Sequence, residues 1–200
     1  MDPTEDHGLV LRCRENGDNL LSIAFLSKTR GLHYPLLRKS KKGTRPDLFD
    51  TARITLSRAK QGELLFASDY TALKRRAGLA LSYERLKIAS RFAEIVRCNV
   101  QHLPDHEIIF ALSEKLFDTL ETEPAPEAAY LKTLYLFAKT EGFPIREDWV
   151  FNLTPHSRET LAKILSTPLN SQPEASTDIH SLTSSIEDWL VAEAHFILSR

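Results

Sequence analysis

Residues 8–45 set the frame for the rest of the chain. Leu9, Leu11 and Cys13 alternate with Val10, Arg12 and Arg14, the two-residue period of a strand with unlike faces. Glu15, Asn16, Gly17, Asp18 and Asn19 make a turn, because glycine accepts positive φ and Asn and Asp bond their own backbone. Leu21, Ile23 and Phe25 continue the period on a second strand. Gly31 interrupts it, and residues 32–37 make a third. The following stretch, 38–45, carries five cations (Arg38, Lys39, Lys41, Lys42 and Arg45) and no acid.

Residues 48–58, with Phe49, Ile54 and Leu56, read as a fourth strand, and a turn at Gln61-Gly62 leads into a fifth that begins at residues 64–67. Five short strands in about 60 residues suit a small antiparallel barrel of the OB type, and their number alone fits an SH3-like barrel as well. From Tyr83 the period becomes helical. Ile88, Phe92, Ile95 and Val96 share one face before Asn99 and Pro104. A second helix starts near Pro104-Asp105 with Ile108, Ile109, Leu112, Leu116 and Leu120 inside. A third follows Pro126 with Leu131, Leu134, Tyr135 and Ala138 and ends before Gly142. Residues 155–166 read as a short helix and 170–178 as a polar connection. The last helix is expected over 179–198, with Leu182, Ile186, Trp189, Leu190, Ala194 and Ile197 on one face. The expected fold is therefore α+β: an OB-type five-stranded barrel over residues 1–72, then a helical domain over 73–200.

The turn at Gly17-Asp18, the second glycine at Gly31 and the basic run Arg38-Lys39-Ser40-Lys41-Lys42 resemble, without a gap, the N-terminal OB-fold domain of the RecO family of bacterial recombination mediators. Asp18 stands where that family has Glu, and Lys39-Ser40 where it has Gly-Ala. The helices after Tyr83, Glu94 and the turn Glu141-Gly142-Phe143-Pro144 are similar in order and character to the family's helical domain. Many members carry a four-cysteine zinc module after that turn. Residues 143–169 hold no cysteine here, so the chain resembles the metal-free members. The resemblance implies a DNA repair protein that binds single- and double-stranded DNA, anneals complementary strands and loads recombinase onto coated single strands, without catalysis or a cofactor. Its implied partners are RecR and the acidic, apolar-ended tail of single-stranded DNA-binding protein.

The net charge of −1 hides an asymmetry. Residues 1–80 hold 15 Lys and Arg against 9 acids, whereas 81–200 hold 11 against 18, a basic part followed by an acidic one. Phosphate is attracted to the first and repelled by the second. Arg38, Lys39, Lys41, Lys42 and Arg45 are the expected phosphate contacts, with Lys28 and Arg30 extending the patch. Of the aromatics Phe25, Tyr34, Phe49, Phe66 and Tyr70, most must fill the barrel. Tyr34, near Arg30 and His33, is the expected base-stacking residue.

Two cysteines, Cys13 and Cys98, are too few for a disulfide framework and suit a reducing cytosol. The acidic N-terminus has no apolar leader core, and no apolar run approaches membrane length, so a cytoplasmic protein is expected. His102 and His106 are four apart, but no third ligand is evident, and residues flanking a helix start explain them without a metal. The seven glycines are dispersed and form no phosphate cradle. Two other readings fit the same features: an RNA-binding OB module on a helical scaffold, and a protein-interaction adaptor without DNA binding.

Overall fold

The computed structural model describes residues 3–39, 44–59, 64–103, 105–172 and 176–198. Among these residues six strands form one N-terminal sheet: β1 (Thr4–Asn16), β2 (Leu20–Ser27), β3 (Gly31–His33), β4 (Leu36–Arg38), β5 (Thr51–Arg58) and β6 (Leu65–Lys74). Among the described residues five α-helices follow: α1 (Tyr83–Asn99), α2 (His106–Thr122), α3 (Pro126–Thr140), α4 (Pro155–Ser166) and α5 (Thr177–Ala192). The chain is thus α+β, a sheet followed by helices.

The sheet order is β1-β5-β6-β4-β2-β3, with β1 also paired to β2. All pairs are antiparallel except β4–β6. β1 serves two neighbours: Thr4 to Leu9 pair with β5, and Gly8 to Asn16 pair with β2. Gly8 lies where both meet, and a Cβ there would stand 2.4 Å from the Leu26 carbonyl oxygen. Only glycine lets the two backbones approach so closely.

The sheet departs from expectation at three points. The expected third strand is two, because Tyr34-Pro35 interrupts it. Pro35 has no N–H to give to a ladder, although its carbonyl still accepts from Ile23 N–H at 3.1 Å. The fourth strand begins at Thr51 and not near Leu48, since Phe49 turns the chain with φ of 66°. In β1 a bulge between Val10 and Arg12 adds one residue and reverses the alternation. Leu9 and Leu11 therefore face the helices, whereas Cys13 joins Val10, Ile23 and Phe25 on the other face.

Two apolar clusters result. One lies within the sheet, around Phe25, Ile23, Ile54, Leu56 and Leu37. The other joins Leu9, Leu11, Ala24, Leu26 and Phe49 to α1, α2, α3 and α5. Phe49 packs on Phe117 with ring centroids 4.8 Å apart, and Phe117 packs on Phe92. Sheet and helices thus share one core. Arg76, in a run of three cations that follows the sheet, is a buried staple at this seam. Its guanidinium donates to Asp118 at 2.7 Å, to Thr51 at 3.1 Å and to the Phe49 carbonyl.

Local chemistry starts the helices. Ser82, Asp105, Thr154 and Ser176 accept backbone N–H groups from the first turns of α1, α2, α4 and α5. Pro126 opens α3 at a position where its missing donor costs nothing. The last helix ends at Ala192, not near Leu198. His195 takes a φ of 54°, and Phe196 turns inward onto Phe137 and Phe143, 5.4 and 5.5 Å between centroids. Asn99 holds that turn from both sides. Its Oδ1 accepts from Ile197 N–H at 2.9 Å, and its Nδ2 donates to the Ile197 carbonyl at 3.1 Å. Among the described residues, no helix is long and apolar enough to cross a membrane.

Candidate nucleic-acid interface

A groove of about 560 Å³ opens at one end of the sheet, where the end of β1, the start of β2, β4 and β6 meet. The register explains the meeting. Leu20 and Leu21 at the start of β2 pair with Arg38 and Leu37, and Leu37 pairs in parallel with Ala67 of β6. Leu21, Leu37 and Tyr70 give the groove an apolar floor, and Arg38, Lys39 and Arg45 stand around it. The structure therefore gathers three of the expected cations. Lys41 and Lys42 lie outside the described residues.

Each cation is held differently. Lys39 donates its backbone N–H to the Asn19 carbonyl at 2.8 Å, and its ammonium pairs with Glu15 at 3.0 Å. Arg38 and Arg45 are exposed and form no ion pair among the described residues. The Arg45 backbone is fixed by Arg75, whose guanidinium donates to its carbonyl at 2.9 Å. Arg75 is not among the expected contacts; the sequence signal for it is its place in the run Lys74-Arg75-Arg76 at the end of β6. Acids also line the groove: Glu15, exposed beside Lys39, and Asp69, which has a φ of 53°.

The floor is chemically quiet. Tyr70 donates its hydroxyl to the buried Asp50 at 2.6 Å. Burial, then this bond and the Asp50 charge, push the phenol well above its ordinary range. Burial, with Asp47 and Asp50, pushes the Cys13 thiol up to about 11. Thiol and phenol therefore both stay protonated at neutral pH, and Cys13 is a poor nucleophile there. The arrangement suits electrostatic binding of a polyanion whose less polar parts lie on Leu21, Leu37 and Tyr70.

The remaining expected contacts are elsewhere. Lys28 and Arg30 occupy the turn at the far end of β2, seven residue steps or roughly 23 Å along the strand from Leu20. They do not extend the patch at Arg38. Tyr34 is 45% exposed but lies midway along β2, against α1. There Arg97 is held above its ordinary range by a bond to Glu94, against burial, with Tyr34 adding a further bond. Phe25 and Phe49 are core residues, 0% and 2% exposed. Among the described residues no three His, Cys, Asp or Glu side chains are placed to hold a metal ion. The side chain of His102 is outside the described part. No protein-family model matches the chain, and no curated protein matches it in sequence.

Proposed function

We propose that the sheet is an OB-type barrel that binds nucleic-acid backbones through the groove at Arg38, Lys39 and Arg45, and that the protein acts as a RecO-like recombination mediator. The observation that carries the reading is the convergence of those three cations on a groove with an apolar, aromatic floor. The pairings add support. They run β1–β2–β4–β6–β5 and return to β1, with a parallel step only between β4 and β6, and they enclose the cluster around Phe25. Closed rings of short strands with one open groove are the usual form of oligonucleotide-binding OB folds.

The mechanism is charge neutralisation. The groove cations, with Lys41 and Lys42 of the same run, lower the repulsion between two strands and so favour annealing, with no covalent step. Single- and double-stranded DNA are the proposed ligands. RecR and the acidic tail of single-stranded DNA-binding protein are the proposed protein partners, engaged through the helices. A second reading, an adaptor that has lost DNA binding, is favoured by the Lys39–Glu15 ion pair and by Asp69 in the groove.

A salt titration separates the two. Each phosphate contact adds about −0.7 on single strands and about −0.9 on duplex to the slope of log affinity against log salt. Arg38→Gln with Arg45→Gln is therefore expected to flatten the slope by about 1.4 and about 1.8, respectively. It should weaken all sequences alike, and annealing should fall in parallel. Unchanged slope and affinity would move the reading to the adaptor.

A further inference from the structure

The turn that carries Arg30 borders a second pocket, of about 360 Å³, formed by the starts of β1 and β6 and the ends of β3 and β5. Arg30, His33, Ser57 and Arg58 line it over an apolar base of Leu56 and Leu65. Arg58 is the last residue of β5 and pairs with Leu65 across the ladder. Both arginines are exposed, and neither forms an ion pair among the described residues. The Arg30 backbone is nevertheless fixed, because its N–H donates to Ser27 Oγ at 3.1 Å. Among the described residues, His33 Nε2 is buried without a hydrogen-bond partner, as are Asp6 Oδ2 and His106 Nδ1.

We propose that this pocket binds a phosphoryl group, held by Arg30 and Arg58 with His33 and Ser57 as further donors. The sign of charge selects the ligand. Two guanidinium groups repel a metal ion, and their planar forks match paired phosphate oxygens. The charged and titratable groups acting on His33 from the surrounding elements are Asp6 of β1, Arg30 of the turn and His106 of α2. Asp6 is itself buried, and its Oδ1 accepts from Ser27 Oγ at 2.7 Å. Burial holds the imidazole below its ordinary 6.5, with Arg30 and His106 acting the same way and Asp6 against them. An anion beside the ring favours its charged form. Binding therefore takes up a proton at His33 and tightens as the pH falls. The pocket lies at the opposite end of β2 from the groove and stands or falls independently of it.

The test uses the full chain and three probes: thymidylyl-thymidine, the same dinucleotide with a 5′-phosphate, and inorganic phosphate. Binding is followed by the imidazole NMR resonances of His33 and by calorimetry. At least one probe is expected to shift the His33 ring. Arg30→Gln with Arg58→Gln should weaken that probe by at least ~10-fold, the loss of one charge-assisted bond or more. Affinity of the wild type should rise between about pH 7.5 and about 5.5 more steeply than that of His33→Gln. Preference for the 5′-phosphorylated probe assigns a strand end, equal binding of both dinucleotides assigns the backbone, and response to phosphate alone assigns the free anion. A His33 ring unmoved by all three probes overturns the proposal, and this measurement needs no variant. Binding lost in Arg38→Gln with Arg45→Gln but kept in Arg30→Gln with Arg58→Gln also overturns it, leaving the groove as the site.

Discussion

Arg76 illustrates how much one side chain contributes when it satisfies several neighbours at once. Its guanidinium is wholly buried, with Asp118 and Glu114 of α2 on one side and the backbone and hydroxyl at Phe49 and Thr51 on the other. Asp118 also pairs with Lys74 at 2.7 Å, so it keeps a partner if Arg76 is removed. The Phe49 carbonyl and the Thr51 hydroxyl lose their Arg76 donor. Arg76→Met is therefore expected to lower the unfolding free energy by about 3 kcal/mol, the low end for breaking a buried pair. Urea denaturation of the two proteins at neutral pH measures it. A loss below about 1 kcal/mol would be that of an ordinary exposed pair and would show that the guanidinium is hydrated. None of this was legible in the run Lys74-Arg75-Arg76, where three adjacent cations look alike. They differ in the structure because β6 ends between them: Lys74 reaches Asp118 from the exposed side, Arg76 reaches it from a buried site, and Arg75 turns instead to the Arg45 carbonyl.

The elements show where sequence pattern suffices. The helices from Tyr83 to Ser166 begin and end close to where capping side chains and prolines place them, because those signals act within one turn. Ile88, Phe92, Ile95 and Val96 are buried together as their spacing requires. The bulge in β1, the positive φ at Phe49 and the early end of α5 were not legible, since each exists to satisfy a partner distant in sequence. The same holds for the interface. Arg38, Lys39 and Arg45 are near in sequence and meet in space, whereas Lys28 and Arg30 are separated from them by the length of a strand. The segment after α5 is the clearest case, as Asn99 of α1 is what holds it. Asn99→Ala removes two hydrogen bonds across that junction and is expected to cost about 1–3 kcal/mol. Its distinguishing sign is local: the Ile197 amide should exchange with solvent much faster, while amides in the centre of α3 keep their protection. Equal acceleration everywhere would mean that the segment and the core open together.

Taken as one body, the chain couples a basic sheet to acidic helices through a common apolar core. Leu9, Leu26 and Phe49 are buried against Phe117 and its neighbours, so neither part keeps its packing without the other. Thermal unfolding is expected as a single transition, seen at the same temperature by the sheet and helix signals. Two transitions, or a stable proteolytic fragment ending near residue 76, would show that the parts fold separately. The double partnership of β1 carries a further consequence for synthesis. Its second half finds β2 as soon as the turn at Gly17 is made. Its first half must wait for β5, some 45 residues later, which at about 5–20 residues per second is roughly 2–9 seconds on the ribosome. During that interval the nascent chain presents an open strand edge to other nascent chains. Glu5, Asp6 and His7 lie along that edge, and charges there discourage pairing with a stranger. Replacing the exposed Glu5 by an apolar residue would act on yield during synthesis before it acted on the finished fold, whereas Asp6 also holds Ser27 in that fold.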